Sequence, residues 1–220
     1  MKYHDYTIKN GKFIGKFEEM YQKFSDPWLL LKNNKKVPNL NYEIIYNYCY
    51  QIRQKHTHTR KFITLELGCG YSQISYHLFK NNFKVYGTDI SKTVINKSKK
   101  KYPKIKNNLF VSEFLNFKLH EKINPDIIIL SDISWYVLPE LKKFINWFKK
   151  LKKRSYLIHS VTVYGKNKQK YGKDYFYDLE TIKNFFKLNY LSSGYIENIN
   201  SDKNTFFIAS NKKSMLVNKS

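Results

Sequence analysis

Residues 62 to 70 read FITLELGCG, and the turn inside them limits the fold more than any other stretch. An apolar run of strand length ends at Gly68-Cys69-Gly70, and a helical pattern follows over residues 72 to 80. Strand, glycine turn and helix make the opening unit of a doubly wound α/β fold. The alternation then repeats. FKVYGTD reads as a strand, residues 92 to 101 as a helix, LFVS as a short strand and PDIIILSD as a buried strand. Residues 139 to 153 carry Leu141, Phe144, Ile145, Phe148 and Leu151 on one helical face, and SYLIHSV is the next strand. After a polar loop, Asp178 caps a helix bearing Leu179, Ile182, Phe185 and Phe186. YLSSGYIENI and TFFIAS form a closing hairpin. Such alternation implies a parallel sheet covered on both faces.

Ahead of this core the pattern differs. Phe13, Phe17, Met20, Tyr21 and Phe24 recur at helical spacing, so residues 12 to 24 are expected to form an amphipathic helix stopped by SDPW. Tyr42, Ile45, Tyr46, Cys49 and Ile52 mark a second helix with Pro38 near its start, and HTHTR at 56 to 60 is a loop. The expected division is a helical lid or arm over 1–60, a core over 61–213 and a frayed tail over 214–220.

The glycine turn matches a dinucleotide fingerprint only in part: Gly68 and Gly70 fit, but the third position is Gln73. Glu66 decides the matter, because at a strand end it repels a pyrophosphate and attracts a cation. S-adenosylmethionine carries an ammonium and a sulfonium and no phosphate, so it suits both the bare turn and the acid. Asp89, nineteen residues after Gly70, ends the second strand, where the fold places an acid for ribose hydroxyls. Ile90 can lie against the adenine face. Glu113 and Phe114 follow the third strand as an acceptor for the adenine amine and an apolar wall.

With these motifs in view, the chain resembles the class I S-adenosylmethionine-dependent methyltransferases over roughly 61 to 161. LELGCG is similar to their glycine motif, GTDIS to the ribose motif, SEF to the adenine position and DIIILSDISWYVL to the fourth-strand motif. The resemblance implies a Rossmann-like seven-stranded sheet of order 3-2-1-4-5-7-6, with strand 7 antiparallel. It implies cofactor contacts at Glu66, Gly68, Cys69, Gly70, Asp89, Ile90, Glu113, Phe114 and Ser131. Ser72 stands where many members carry a glycine.

The fourth strand also bears on the methyl acceptor. Ser131-Asp132-Ile133-Ser134 lacks the prolines of amino-methyltransferases acting on adenine and cytosine. Neither Cys49 nor Cys69 is placed as the nucleophile that pyrimidine C5 methylation needs. SDISWYVLPEL is instead similar to the pattern of small-molecule and sugar methyltransferases. FEEMYQKFSDPWLLLK resembles the N-terminal stretch of small bacterial enzymes that methylate sugars or oligosaccharide amines, whose arms fold over the cofactor as a lid. The expected acceptor is a small polar molecule, a sugar or a phosphate-bearing precursor of surface polysaccharide such as capsule, with oxygen ahead of nitrogen. In this reading His159, in YLIHSV, stands at the end of the fifth strand and serves as general base, with Asp132 orienting base or acceptor. Tyr21, Trp28, Trp135 and Tyr136 wall the pocket, Tyr164, Tyr171 and Tyr175 close it, and His56 and His58 are solvated loop residues. RNA methylation and a non-catalytic scaffold are the competing readings.

The net charge of +23, from 40 basic and 17 acidic residues, favours RNA alone, but the lysines are spread and accompany abundant Asn, Ile and Tyr. Nucleic acid is therefore not the expected partner. Two cysteines without metal-type spacing argue against a metal site. No apolar run approaches the roughly 20 residues that span a bilayer, so a cytoplasmic monomer or homodimer is expected.

Overall fold

The computed structural model describes residues 2–29, 31, 39–56, 60–199 and 202–213. Pro38, His58 and the 214–220 tail lie outside them.

Seven strands form one sheet: β3 (Ile63–Leu67), β4 (Lys84–Asp89), β5 (Leu109–Val111), β6 (Ile127–Ser131), β7 (Tyr156–Val163), β8 (Asn189–Glu197) and β9 (Lys203–Ser210). Their order is β5-β4-β3-β6-β7-β9-β8. Counted from β3 as the first strand, this is 3-2-1-4-5-7-6. The first five strands pair in parallel, and β9 runs antiparallel to both β7 and β8. The class I methyltransferase topology expected from the sequence is therefore the one observed.

The continuous apolar run of β6 follows from burial on both faces. Ile127 and Ile129 face one core with Phe83 of the turn before β4, Leu78 of α3 (Gln73–Lys80) and Ile95 of α4 (Lys92–Lys101). Ile128 and Leu130 face the other core, with Leu141, Phe144 and Phe148 of α6 (Leu138–Lys150) and Phe186 of α7 (Leu179–Phe186). A short α5 (Phe117–Ile123), which the sequence pattern did not single out, adds Ile123 to the second core.

The front of the chain differs from its expected helix. Residues 12 to 24 divide into strand and helix: β1 (Ile8–Lys9) pairs with β2 (Lys12–Phe13), and α1 spans only Phe17–Lys23. Gly15, at φ +71°, separates β2 from the helix. α2 (Leu40–Gln54), counted with the arm in the sequence, instead packs Ile45, Tyr46, Cys49 and Ile52 on the sheet as part of the first core. The arm proper forms its own small core, in which Tyr6, Met20 and Tyr21 meet Tyr71 and Val94. Among the described residues, no helix is long and apolar enough to cross a membrane.

Candidate active site

The carboxyl ends of β3, β4, β5 and β6 open into a cavity of about 960 Å³. That is near the top of the range for small-molecule sites, about 300–1,000 Å³. One wall is the strand-end turns, another the arm, and a third the segments after β6 and β7.

The turn after β3 explains its glycines. Gly68 sits at φ +69°, and a Cβ there would lie 2.5 Å from Ile133 Cγ2. Gly70 is at φ +47°, and its nearest neighbour would be the Tyr21 hydroxyl at 3.2 Å. The Cys69 amide donates to the Thr88 carbonyl at 2.8 Å, fixing the turn against β4. Ser72, the residue that replaces a glycine, holds φ +55° and donates its hydroxyl to Cys69 Sγ at 3.4 Å. Burial raises the Cys69 thiol pKa, so it stays protonated.

Two buried carboxylates face this turn. Glu66 accepts from the Ser75 amide at 3.1 Å and the Ser75 hydroxyl at 2.6 Å. Burial still outweighs these bonds and lifts its pKa to about 7. Asp89 accepts from the Gly70 amide at 3.0 Å and the Ser91 amide at 2.9 Å. Burial raises it to about 6 against those donors. Ile90, Glu113 and Phe114 also line the cavity, and Phe114 leans on Phe144 with ring centroids 5.2 Å apart. Ser131 lines it at the end of β6.

Asp132 stands next, at φ +54°, where β6 ends. Its amide donates to the Ser160 carbonyl at 2.9 Å, and its carboxylate accepts from the Thr162 amide at 3.2 Å. Burial raises its pKa above the usual carboxylate range. Tyr136 meets Phe17 and Trp28 of the arm, with centroids at 5.1 and 5.9 Å. The Trp28 indole donates to the Tyr21 hydroxyl at 3.2 Å. Trp135 donates to the Thr162 carbonyl at 2.8 Å. Tyr164 and Tyr171 line the cavity, and Tyr171 stacks on Phe13 of β2.

His159 and Tyr175 lie elsewhere. His159 is fully buried, stacked on Phe207 with centroids 4.7 Å apart, and hydrogen-bonded to the Ser134 hydroxyl at 2.7 Å. Burial drives its pKa down to about 3. It does not line the cavity, so the expectation of a base there is corrected. The reason is strand length: β7 continues four residues past His159, to Val163, because β9 pairs with it throughout. Thr162 is the β7 residue that reaches the cavity. Tyr175 packs against Phe185, outside the cavity. His56, expected in solvent, hydrogen-bonds the Tyr156 hydroxyl at 2.8 Å.

Several cavity residues were not singled out in the sequence: Tyr3, Asn39, Tyr42, Thr162, Lys168 and Lys170. Asn39 caps α2 by accepting from the Asn41 amide, and an N-cap signal could have found it. Tyr42 read as part of the α2 apolar stripe. Tyr3 and the two lysines belong to irregular segments that carry no periodic signal.

Residues 65–158 match a family model described as a methyltransferase domain. Comparison with curated proteins finds no match. Among solved structures, the chain is similar to the magnesium protoporphyrin IX methyltransferase ChlM from Synechocystis PCC 6803 with bound SAM. Identity is 16%, the alignment covers 88% of this chain and 94% of that one, and the TM-score is 0.59. It is also similar to the N-methyltransferase NodS from Bradyrhizobium japonicum WM9 in complex with S-adenosyl-L-homocysteine, at 13% identity, 90% and 98% coverage and TM-score 0.63. The bifunctional kinase-methyltransferase WbdD aligns at 16% identity over 80% of this chain and 40% of that one, with TM-score 0.57.

Proposed function

We propose that the chain is a class I S-adenosylmethionine-dependent methyltransferase acting on a small polar acceptor, a sugar or a phosphate-bearing precursor of surface polysaccharide; the methyltransferase-domain match over residues 65–158 and the sheet order support the first half. The observation that carries the acceptor half is the position of Asp132. It places a carboxylate directly after β6, in a cavity whose β3 and β4 ends hold Glu66 and Asp89.

The residues present fit the cofactor. Gly68, Cys69 and Gly70 line the cavity with a turn that stays bare, since a Cβ at Gly68 would clash with Ile133. Glu66 and Asp89, both held above the usual carboxylate range by burial, gain most from a cationic ligand. In this reading Glu66 faces the cationic amino-acid part, and Asp89 accepts from the ribose. Glu113 takes the adenine amine, Ile90 and Phe114 flank the ring, and Cys69, Gly70 and Ser131 complete the cradle. When bound, the cofactor supplies an electrophilic methyl on a sulfonium.

The chain's own task is then to align the acceptor, exclude water and take a proton. Tyr136, Trp28 and Tyr21 close the arm side, and Trp135, Tyr164 and Tyr171 close the far side. Lys168 and Lys170, at the cavity, favour an acceptor bearing negative charge. Asp132 is the base: its carboxylate is fixed by the Thr162 amide, and its raised pKa brings it toward the working pH.

The test is a panel of sugars, sugar phosphates and amines offered with labelled S-adenosylmethionine. On an accepted hydroxyl, Asp132→Asn should lower turnover by roughly 10²–10⁴-fold while cofactor affinity stays nearly constant. A general base works ionised, so the parent rate should rise with pH through a raised carboxylate pKa, and that limb should vanish in the variant. Full activity and an unchanged profile would remove Asp132 from the role. Turnover of amines alone would remove the hydroxyl acceptor.

A further inference from the structure

The arm touches the core through an acidic side chain that neither the cofactor cradle nor the acceptor wall uses. Glu18, on α1, reaches the amino end of α4. One of its oxygens accepts from the Ser91 hydroxyl at 2.6 Å and the Thr93 amide at 3.1 Å. The other accepts from the Thr93 hydroxyl at 2.6 Å and from Gln22, on its own helix, at 3.0 Å. Short bonds from hydroxyls to an ionised carboxylate are among the stronger hydrogen bonds in proteins. The carboxylate also meets the positive end of the α4 dipole. Partial burial opposes its charge, but the hydrogen bonds win and hold its pKa at about 2, so it is ionised at any working pH. A second tether lies one turn further along α4, where Lys97 donates to the Tyr21 carbonyl at 2.5 Å and the Phe24 carbonyl at 3.4 Å.

The partners of Glu18 matter more than their number. Ser91 donates its hydroxyl to Glu18, and its own amide donates to Asp89 at 2.9 Å. Asp89 in turn accepts from Gly70, the residue whose α-carbon faces the Tyr21 hydroxyl. Arm, α4 cap, strand-end acid and glycine turn therefore form one hydrogen-bonded chain: Glu18, Ser91, Asp89, Gly70. Tyr21 and Trp28, which line the cavity, lie on the same arm.

We propose that Glu18 is a positioning residue: by latching the arm to Ser91 and Thr93, it keeps the arm closed over the cavity and couples that closure to the cofactor site. The coupling rests on the cofactor reading above. It predicts reciprocity, since a ligand that gains from the closed arm must also stabilise the closed arm by the same factor. A residue that only supported the fold would leave the size of that shared factor unchanged.

Two measurements on the full chain test it, with S-adenosylhomocysteine as the probe. Calorimetry should show that Glu18→Gln binds the probe about tenfold more weakly, as expected for losing a hydrogen bond to a charged group. Limited proteolysis, with cuts mapped to the arm, should be faster in Glu18→Gln without ligand. The protection that the probe gives the parent arm should shrink in the variant by the factor seen in affinity. Lys97→Met, which breaks the second tether alone, should move both readouts in the same direction. The latch is overturned if both variants match the parent in ligand-free arm cleavage. The coupling is overturned if they bind the probe as the parent does. A parent that fails to bind the probe overturns the cofactor reading and the coupling together, while ligand-free cleavage still decides the latch.

Discussion

At its β4 end the sheet stops at an acid and opens. At its β7 end it runs past a histidine and closes. β4 finishes at Asp89, whose carboxylate accepts from two backbone amides and faces the cavity. β7 holds His159 in mid-strand, register-paired with Leu130 on one side and Phe207 on the other. Burial perturbs both groups, in the directions their chemistry requires. The carboxyl rises to about 6 and the imidazole falls to about 3, each toward its neutral form. Only Asp89 keeps an open side on which a ligand could restore the charge. A perturbed pKa marks burial in both regions, and the cavity separates function from packing.

The largest effect should come from removing the open member of this pair. Asp89→Ala should weaken S-adenosylhomocysteine binding by about 1.5–3 kcal/mol, the scale for hydrogen bonds to a charged group. His159→Leu should leave that affinity within a small factor. Equal losses in calorimetry would break the contrast.

The second effect is on stability. The folded pKa of His159, near 3, lies below its unfolded value near 6.5, so only the unfolded chain takes up a proton between them. Its contribution is complete above about pH 6.5 and is lost as pH falls toward 3. Relative to His159→Leu, the parent should lose about 1.4 kcal/mol of unfolding free energy per pH unit in that window. Denaturant titrations of both proteins at several pH values check this. Parallel curves would mean that the imidazole is not buried neutral.

The smallest effect sharpens the β3–β4 region itself. Ser72 holds a left-handed backbone that glycine adopts without cost, yet its hydroxyl contacts Cys69. Ser72→Gly relieves the strain, removes the contact and frees the unfolded chain. These terms oppose, and the net change should stay under about 1 kcal/mol. A larger loss in thermal unfolding would show that the hydroxyl contact holds the turn.

Much of this arrangement was legible in the chain. Glu66, Asp89 and Glu113 each follow an apolar run closely, and all three line the cavity. The IIIL run of β6 announced a strand buried on both faces. His159 misled because YLIHSV looks complete, and nothing local reveals that β9 will carry β7 to Val163. The arm misled because Phe13 and Phe17 are spaced as on a helix while Gly15 lies between them in a left-handed conformation. Tyr42 was hidden in an apolar stripe, since one tyrosine can serve a core and a cavity at once.

The sequence by itself determined most element types of the core and the acids at or near the ends of its first three parallel strands, while the order of the sheet came from the family resemblance. Element types and acids depend on periodicity, glycine and short-range spacing, which are local. Tertiary structure decided where β7 stops, which face of α2 meets the cavity and which acid of the arm finds the α4 cap. Glu18 lies 73 residues from Ser91 in the chain, and its neighbour Glu19 instead pairs with Lys16 at 3.1 Å. Nothing in FEEMYQK separates the two glutamates. They differ because the small core of Tyr6, Met20, Tyr21, Tyr71 and Val94 fixes the rotation of α1, and that rotation carries Glu18 to the amides and hydroxyls of α4.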